Sequence, residues 1–341
     1  MSVTFATQLD NVMFTSSLQT LVINADNGET NILFSIQKDS NLLFSNLYTP
    51  DENGNVYIYD LHKLIENNIP DVYDSFMLMT GATKTSVTFI KCNTLVNISA
   101  SVFIQNYFLS PCLKARHTSL YRVECVNILD LSGRDVAVKA SAAYFLDGNL
   151  TTLDFDLETI NGFANIDVSP SLFVKPEKGK LVFYTISAGN RHLKYNVVNH
   201  TPDAVGVKYR NSFNVWDTFY FTGLLATEFQ HTRSTAVVGG RLTDYNIDTV
   251  QLFKANTGPL PYGSEVLPYE LCRSKEINML DLEGNTIGEI VITDDEIKSD
   301  NAPDTINDFI VTYRFADHFS TKINTPKSVK LFDDTFDGSF N

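Results

Sequence analysis

Histidine and cysteine are the residue types in this chain that most often carry nucleophilic or metal chemistry, and they do not occur at a recognisable spacing. A nucleophilic site needs a Ser, Cys or Thr beside a His that a third group orients. The six His residues stand in no such frame, and the sequence contains no G-x-S-x-G, P-loop or dinucleotide-binding glycine pattern. His117 lies between Cys112 and Cys125, but this spacing matches no common zinc pattern. We therefore predict no catalytic residue and no cofactor.

The densest group of possible metal ligands is an acidic stretch from Asp294 to Asp308, which we predict to be a loop. Ca²⁺ takes six to eight oxygen ligands, and Asp294, Asp295 and Asp300 are the candidates. The stretch lacks the spaced D-x-D-x-D-G pattern of a calcium loop, so a solvated acidic loop without metal is the preferred interpretation. The paired carboxylates of a glycosidase cannot be assigned, because an acidic strand-rich chain offers many pairs.

Charge and composition exclude several classes of protein. The chain carries 26 basic and 40 acidic residues, a net charge of −14, whereas phosphate binding requires clustered Lys and Arg. We therefore expect no direct binding to nucleic acid. The four Cys residues form no CxxC pair, so a disulfide framework is not expected. The N-terminal residues have no basic or apolar region typical of a signal peptide, and no apolar run is long enough for membrane insertion.

The elements that would position these residues are mainly short strands. Asp147-Gly148-Asn149 and Gly189-Asn190 are hairpin signals between alternating segments. Leu61, Leu64, Ile65 and Ile69 follow Asp60 at helical spacing, and a second short helix is predicted within residues 100–109. The pattern predicts an all-β, mainly antiparallel fold: tandem β-sandwich or barrel domains with one or two short helices.

The length of 341 residues favours two domains. The strand-like pattern is interrupted by Pro111 and by the basic residues Lys114, Arg116 and His117. We therefore place a domain boundary near Thr118. The prediction is an N-terminal sandwich-like domain over residues 1–118 and a larger β domain over residues 119–341, with a polar tail after about residue 321.

One aromatic strand region lies within residues 205–223 and contains the only Trp of the chain. Phe219 and Phe221 alternate with Thr218 and Tyr220, the period of a strand with two different faces. We predict that Trp216, Phe219 and Phe221 anchor a hydrophobic core. An exposed aromatic platform for a ligand is the alternative.

Five blocks of the sequence together resemble a known family. They are YTPDENGNVYIYDLHKLIENNI (residues 48–69), SVTFIKCN (86–93), VFIQNYFLSPCLKARHTS (102–119), NSFNVWDTFYFTG (211–223) and IGEIVITDDEIKSDN…FIVTYRFADH (287–318). They resemble a family of tail-associated virion structural proteins of phages and prophages of gut Bacteroidota. The Pro111-Cys112 insertion and the Asp317-His318 ending depart from the family pattern. No catalytic residue is carried over.

The resemblance implies a non-enzymatic structural subunit of a phage tail, baseplate or ring. Its expected partners are copies of itself and other virion proteins, and its expected location is the virion, after assembly in the host bacterial cytoplasm. Lys114, Arg116 and His117 are the interface candidates, which we expect to meet the acidic 294–308 stretch of another copy. Two other hypotheses stay open: a carbohydrate-binding or adhesion module, and a glycan-active enzyme.

Overall fold

Most of the chain folds into antiparallel strands joined by tight turns. The computed structural model describes residues 3–25, 31–113, 115–198, 204–260, 263–297 and 308–316. In the first third of the chain the strands are β1 (Val3–Phe5), β2 (Val12–Phe14), β3 (Thr20–Ala25), β4 (Ile32–Lys38), β5 (Asn41–Tyr48), β6 (Asn55–Tyr59), β7 (Tyr73–Thr80) and β8 (Thr83–Ile90). In the middle they are β9 (Arg116–Thr118), β10 (Cys125–Asp130), β11 (Val136–Leu146), β12 (Asn149–Ile160), β13 (Gly162–Asp167), β14 (Lys180–Ala188) and β15 (Arg191–Val197).

The remaining strands are β16 (Val205–Arg210), β17 (Trp216–Phe221), β18 (Leu225–Val238), β19 (Arg241–Asn256), β20 (Ile277–Leu280), β21 (Thr286–Ile297) and β22 (Phe309–Phe315). The helices are α1 (Leu61–Asn68), α2 (Ala100–Asn106) and α3 (Val266–Arg273). This confirms the prediction of an all-β, mainly antiparallel fold, with three short helices in the described residues where one or two were predicted. The strand orders are open in the described part of the chain, so the sheets form sandwiches rather than barrels.

The first core lies between two sheets built from the N-terminal third of the chain. Strands in the order β1-β3-β6 form one sheet, and strands in the order β2-β8-β7-β4-β5 form the other. Alternating apolar residues of both sheets, such as Leu21, Phe34 and Phe89, are fully buried between them. Helix α1 adds Leu61 and Ile65 to this core. Asp60 occupies the N-cap position as predicted, but its side chain makes no capping hydrogen bond and pairs with Lys63 instead.

The second core lies between the two-stranded sheet β10-β13 and the five-stranded sheet β12-β11-β14-β15-β9. Both predicted hairpins are present in the larger sheet. Asp147 and Gly148 turn the chain between β11 and β12 with positive φ angles of 50° and 82°, and Gly189 does so between β14 and β15 with a φ of 59°. Tyr184 and Tyr195 stack in this core with ring centroids 4.9 Å apart.

The third core lies on a seven-stranded sheet of order β17-β16-β20-β21-β22-β19-β18. Helix α3 covers it with Leu267 and Leu271. This helix has no counterpart among the elements predicted from the sequence, and Pro268 lies in its first turn. Pro is tolerated in the first turn of a helix, where the N–H groups have no intrahelical acceptor.

A fourth apolar cluster joins the three sheet systems. Phe103 of α2 packs against Phe14 of β2 and against Phe213, with ring centroids 5.5 and 5.1 Å apart. The strand β9 already pairs in parallel with β15 in the middle sheet just before the predicted boundary at Thr118. The residues that follow this boundary build two of the cores.

Candidate functional site

A buried ion pair ties the middle sheet to the seven-stranded sheet. The guanidinium of Arg116 on β9 donates from Nη1 to Oδ1 of Asp217 on β17 at 2.7 Å, and from Nη2 to Oδ2 at 2.8 Å. Nη2 also donates to Ser110 Oγ at 2.6 Å. Both charged side chains are at most 4% exposed. Burial alone would lower the pKa of Arg116, but the charge of Asp217 holds it well above its ordinary value. Arg116 therefore keeps its positive charge.

A second carboxylate lies beside this pair without a comparable partner. Glu124 precedes β10 and is 4% exposed, and its Oε2 accepts a hydrogen bond from Thr218 Oγ1 at 3.3 Å. Burial raises the pKa of Glu124 to about 7, although the charges of Arg116 and Arg122 act in the opposite direction. A carboxyl group that titrates near pH 7 can hold or release a proton under ordinary solution conditions.

Tyr220 of β17 holds the segment before β10 against the seven-stranded sheet. Its hydroxyl accepts from the backbone N–H of Val123 at 2.8 Å and donates to the carbonyl of Val123 at 3.1 Å. The Arg122 guanidinium carbon lies 4.8 Å from the centre of the Tyr220 ring. Gly206 directly opposes Tyr220, and a Cβ there would lie 2.8 Å from the ring. The absence of a side chain at Gly206 thus gives the ring its room.

A cleft of about 220 Å³ is lined by Arg116, Arg122, Glu124, Thr218 and Tyr220. The backbone segment of Arg122 and Glu124 forms one wall, β17 forms another, and Leu260 and Leu267 contribute apolar surface. His117 also lines the cleft and is exposed. Burial, and then the charge of Arg122, lowers the pKa of His117.

The basic residues predicted as an interface do not form one patch. Arg116 is buried and bound to Asp217, so it cannot meet the acidic residues of another copy, and this corrects the expectation for that residue. His117 is exposed. Lys114 lies outside the described residues.

The predicted core residues of the aromatic strand have different environments. Phe219 and Phe221 are buried in the third core, as expected. Trp216 is partly exposed, and its ring lies under two cations, with Arg210 Cζ 4.3 Å and Lys208 Nζ 5.2 Å from its centre. Trp216 therefore covers the edge of the sheet rather than filling the core.

The acidic metal candidates are also placed differently from the prediction. Asp294 and Asp295 belong to strand β21, where they pair with Thr312 and Val311 of β22, and not to a loop. The strand pairing continues because the exposed side chains of these acidic residues do not need burial. Asp300 lies outside the described residues. Among the described residues, no three His, Cys, Asp or Glu side chains lie together as a metal site would require.

A long exposed hairpin is formed by β18 and β19, where the sequence predicts only two short strands, over residues 224–229 and 250–254. The two strands pair from Leu225 opposite Ala255 to Val238 opposite Arg241, and Gly239 and Gly240 make the turn with positive φ angles. Only residues 253–256 of β19 also pair with β22. We call residues 227–251 the arm. At about 3.3 Å per residue, it extends roughly 35 Å beyond that pairing.

One face of the arm carries several large apolar side chains among polar ones. Directly opposed residues of a hairpin point to the same face, and alternate residues share it. By the register, this face holds Phe229, Val237, Leu242 and Ile247, together with the exposed ion pair of Arg233 and Asp244. We call it the apolar face of the arm because these four apolar side chains share it. Phe229 is 52% exposed and Leu242 is 73% exposed. Exposed apolar side chains on a single face are typical of an interaction surface.

Sequence reasoning missed the buried charged residues Arg122, Glu124 and Asp217. The alternation of Arg122 and Glu124 with Val123 and Cys125 was the available signal. Their partners lie up to 107 residues away in the chain, so no local pattern shows the pairing.

No family model and no curated protein sequence matches this chain. Among solved structures, it is similar to the calcium binding domain CBD12 of CALX1.1, with a TM-score of 0.22 and 8% sequence identity. The similarity covers 55% of this chain and 79% of that chain. A similarity this low carries no functional argument. In the described part of the chain, the helices are too short or too polar to cross a membrane.

Proposed function

We propose that this protein is a structural subunit that assembles with copies of itself through the arm, and that it serves in the tail or baseplate of a phage virion. The arm is the observation that supports assembly. The sequence resemblance to tail-associated virion proteins supports the place in the particle.

An isolated two-stranded hairpin is at best marginally stable in water, because it buries too little apolar surface. The arm has this architecture, and its side chains are almost all exposed. A second layer packed on the apolar face would supply the missing burial, at about 25 cal/mol per Å² of apolar surface removed from water. This favours a role for the arm in an assembled state.

The charge of the arm favours another copy as the second layer. Residues 227–251 carry three acidic and two basic residues, so the arm is nearly neutral in a chain with a net charge of −14. Acidic bodies of two copies repel each other, whereas their arms can approach at little electrostatic cost. The same apolar face is present on every copy, and stacking of two such faces requires no other component.

Sedimentation velocity of the purified chain tests the proposal. We expect an oligomer for the natural sequence and a monomer for the double variant Phe229→Glu/Leu242→Glu, because both charges enter the apolar face. Val238→Glu/Thr243→Glu is the matched control, since these two residues lie on the opposite face of the arm. A natural chain that stays monomeric at all concentrations, or equal loss of assembly in both variants, contradicts the proposal.

The location in the particle has its own test. Gold-labelled antibody raised against the purified chain should bind the tail or baseplate of phage particles whose genome encodes it. Label on the head alone, or on no part of the particle, would contradict the proposed position.

A further inference from the structure

The cleft beside the buried ion pair contains the guanidinium of Arg122, and few nearby groups neutralise its positive charge. Arg122 is 9% exposed, and its Nε is buried without a hydrogen-bond partner among the described residues. Arginine is almost never buried to this degree unless it is paired. The ring of Tyr220 accounts for one face of the guanidinium but accepts no hydrogen bond from Nε.

The two nearby carboxylates do not supply the missing partner. Both oxygens of Asp217 accept from Arg116. Glu124 is the remaining acid, and its charge is only partly present near pH 7, because burial raises its pKa to about that value. The cleft therefore retains positive charge at Arg122.

Two threonine side chains that line the cleft can form hydrogen bonds with the hydroxyl groups of a ligand. Thr218 Oγ1 donates to Glu124, and Thr222 Oγ1 donates to the carbonyl of Thr257 at 2.8 Å. Each hydroxyl oxygen keeps lone pairs that can accept a hydrogen bond from a ligand. Leu260 adds apolar surface to the same cleft.

We propose that this cleft binds a small hydroxylated carboxylate of the size of a monosaccharide acid, with its carboxylate on Arg122 and its hydroxyls on Thr218 and Thr222. The planar guanidinium matches a carboxylate in two parallel hydrogen bonds. Sites for drug-sized ligands have volumes of about 300–1,000 Å³, so the 220 Å³ of this cleft suits a smaller molecule.

Binding of such an anion depends on Glu124. Protonated Glu124 can donate a hydrogen bond to the ligand, whereas ionised Glu124 repels the ligand and competes for Arg122. The ionisable groups that face Glu124 are Arg116, Arg122, Asp217, Cys125, Tyr184, Tyr195 and Tyr220. Burial raises the pKa of the thiol and of the three phenols, so these groups stay neutral near pH 7. The affinity should therefore rise as the pH falls from 8 to 6.5.

Isothermal titration calorimetry of the full chain with D-glucuronate, glucose and inorganic phosphate tests this site. We expect glucuronate to bind, glucose to show no measurable binding, and phosphate to bind at least tenfold more weakly than glucuronate. Arg122→Met should weaken glucuronate binding at least tenfold, whereas Arg134→Met, at an exposed turn, should leave it unchanged. Glu124→Gln should remove most of the difference between pH 6.5 and pH 8.

Arg122→Lys keeps the positive charge, so it tests the same contact if Arg122→Met fails to fold. It should bind glucuronate more weakly than the natural chain, because an ammonium cannot hold a carboxylate in two parallel hydrogen bonds. No binding of glucuronate, equal binding of glucose, phosphate binding as tight as that of glucuronate, or the same affinity in the Arg122 variants would each overturn the proposal.

Discussion

The region around the Arg116–Asp217 ion pair differs from the arm in how its strands are held in place. Around the ion pair, β9, β17 and the segment before β10 are held by partners about 100 residues away in the chain. In the arm, each strand pairs mainly with its immediate neighbour in sequence, and both faces remain exposed. The first region has most of its partners within the chain, and the second has an apolar face that stays exposed among the residues that the structure describes.

The difference indicates where the chain is self-sufficient and where it depends on a neighbour. Removing a contact near the ion pair should destabilise a single chain. Removing an apolar side chain from the arm should leave the single chain stable and weaken assembly.

Loss of a buried carboxylate should have the largest effect. Asp217→Ala leaves the Arg116 charge buried without its partner, and breaking a buried pair in this way costs about 3–5 kcal/mol of unfolding free energy. The equivalent change in the arm is Asp244→Ala, which removes the exposed partner of Arg233 and should cost less than about 1 kcal/mol. Urea denaturation of the monomer measures both. Equal losses would remove the distinction between the regions.

A pair of Phe substitutions makes the same comparison for apolar side chains. Phe219→Ala removes a buried ring from the third core and should cost about 3–5 kcal/mol. Phe229→Ala removes an exposed ring from the arm and should change the stability of the monomer by less than about 0.5 kcal/mol. A large loss of monomer stability from Phe229→Ala would mean that the body of the same chain covers the arm.

The pH dependence of stability should distinguish Glu124 from exposed carboxylates. Its folded pKa of about 7 is raised from an ordinary value of 4.5, so the folded state binds the proton more tightly than the unfolded state. This contribution is complete below pH 4.5 and is lost as the pH rises through 7. The difference in unfolding free energy between the natural chain and Glu124→Gln should therefore change in favour of the variant over this window and level off above it. A difference that stays constant from pH 4.5 to 8 would contradict the raised pKa.

Tyr220→Phe should have the smallest effect among the changes made around the ion pair. It removes the hydroxyl that bonds to both backbone groups of Val123, and it should cost about 1–2 kcal/mol. The exposed Tyr245 of the arm is the matched position, and Tyr245→Phe should be neutral in the monomer. Thermal unfolding followed by circular dichroism is sufficient, and an unchanged midpoint for Tyr220→Phe would show that these hydrogen bonds contribute little.

Local sequence patterns were sufficient for much of the fold. Gly189 and Asn190 identified the turn between β14 and β15, and the alternation of Phe219 and Phe221 identified β17. These features depend on neighbours in sequence, because turn geometry and the two faces of a strand are local properties. Helix α2 was also predicted from its own residues, Ala100–Asn106.

The sequence was less informative wherever distant partners decide the structure. Arg116 was interpreted as a surface charge because its partner Asp217 cannot be recognised from the residues around it. The sequence predicts only short strands at the two ends of the arm, because polar residues on both faces of its middle interrupt the apolar alternation typical of a core strand. The cleft residues Arg122 and Glu124 are not predicted from the sequence either, because their partners are also distant in the chain.

Hydrogen–deuterium exchange of the natural chain and of Phe229→Glu/Leu242→Glu tests the contrast between the two regions most directly. At a concentration where the natural chain is assembled, its arm amides should exchange at least tenfold more slowly than those of the variant, while amides of β17 should exchange equally in both. Arm amides that exchange at the same rate in the two proteins would contradict the account, because the apolar face would then have no neighbour.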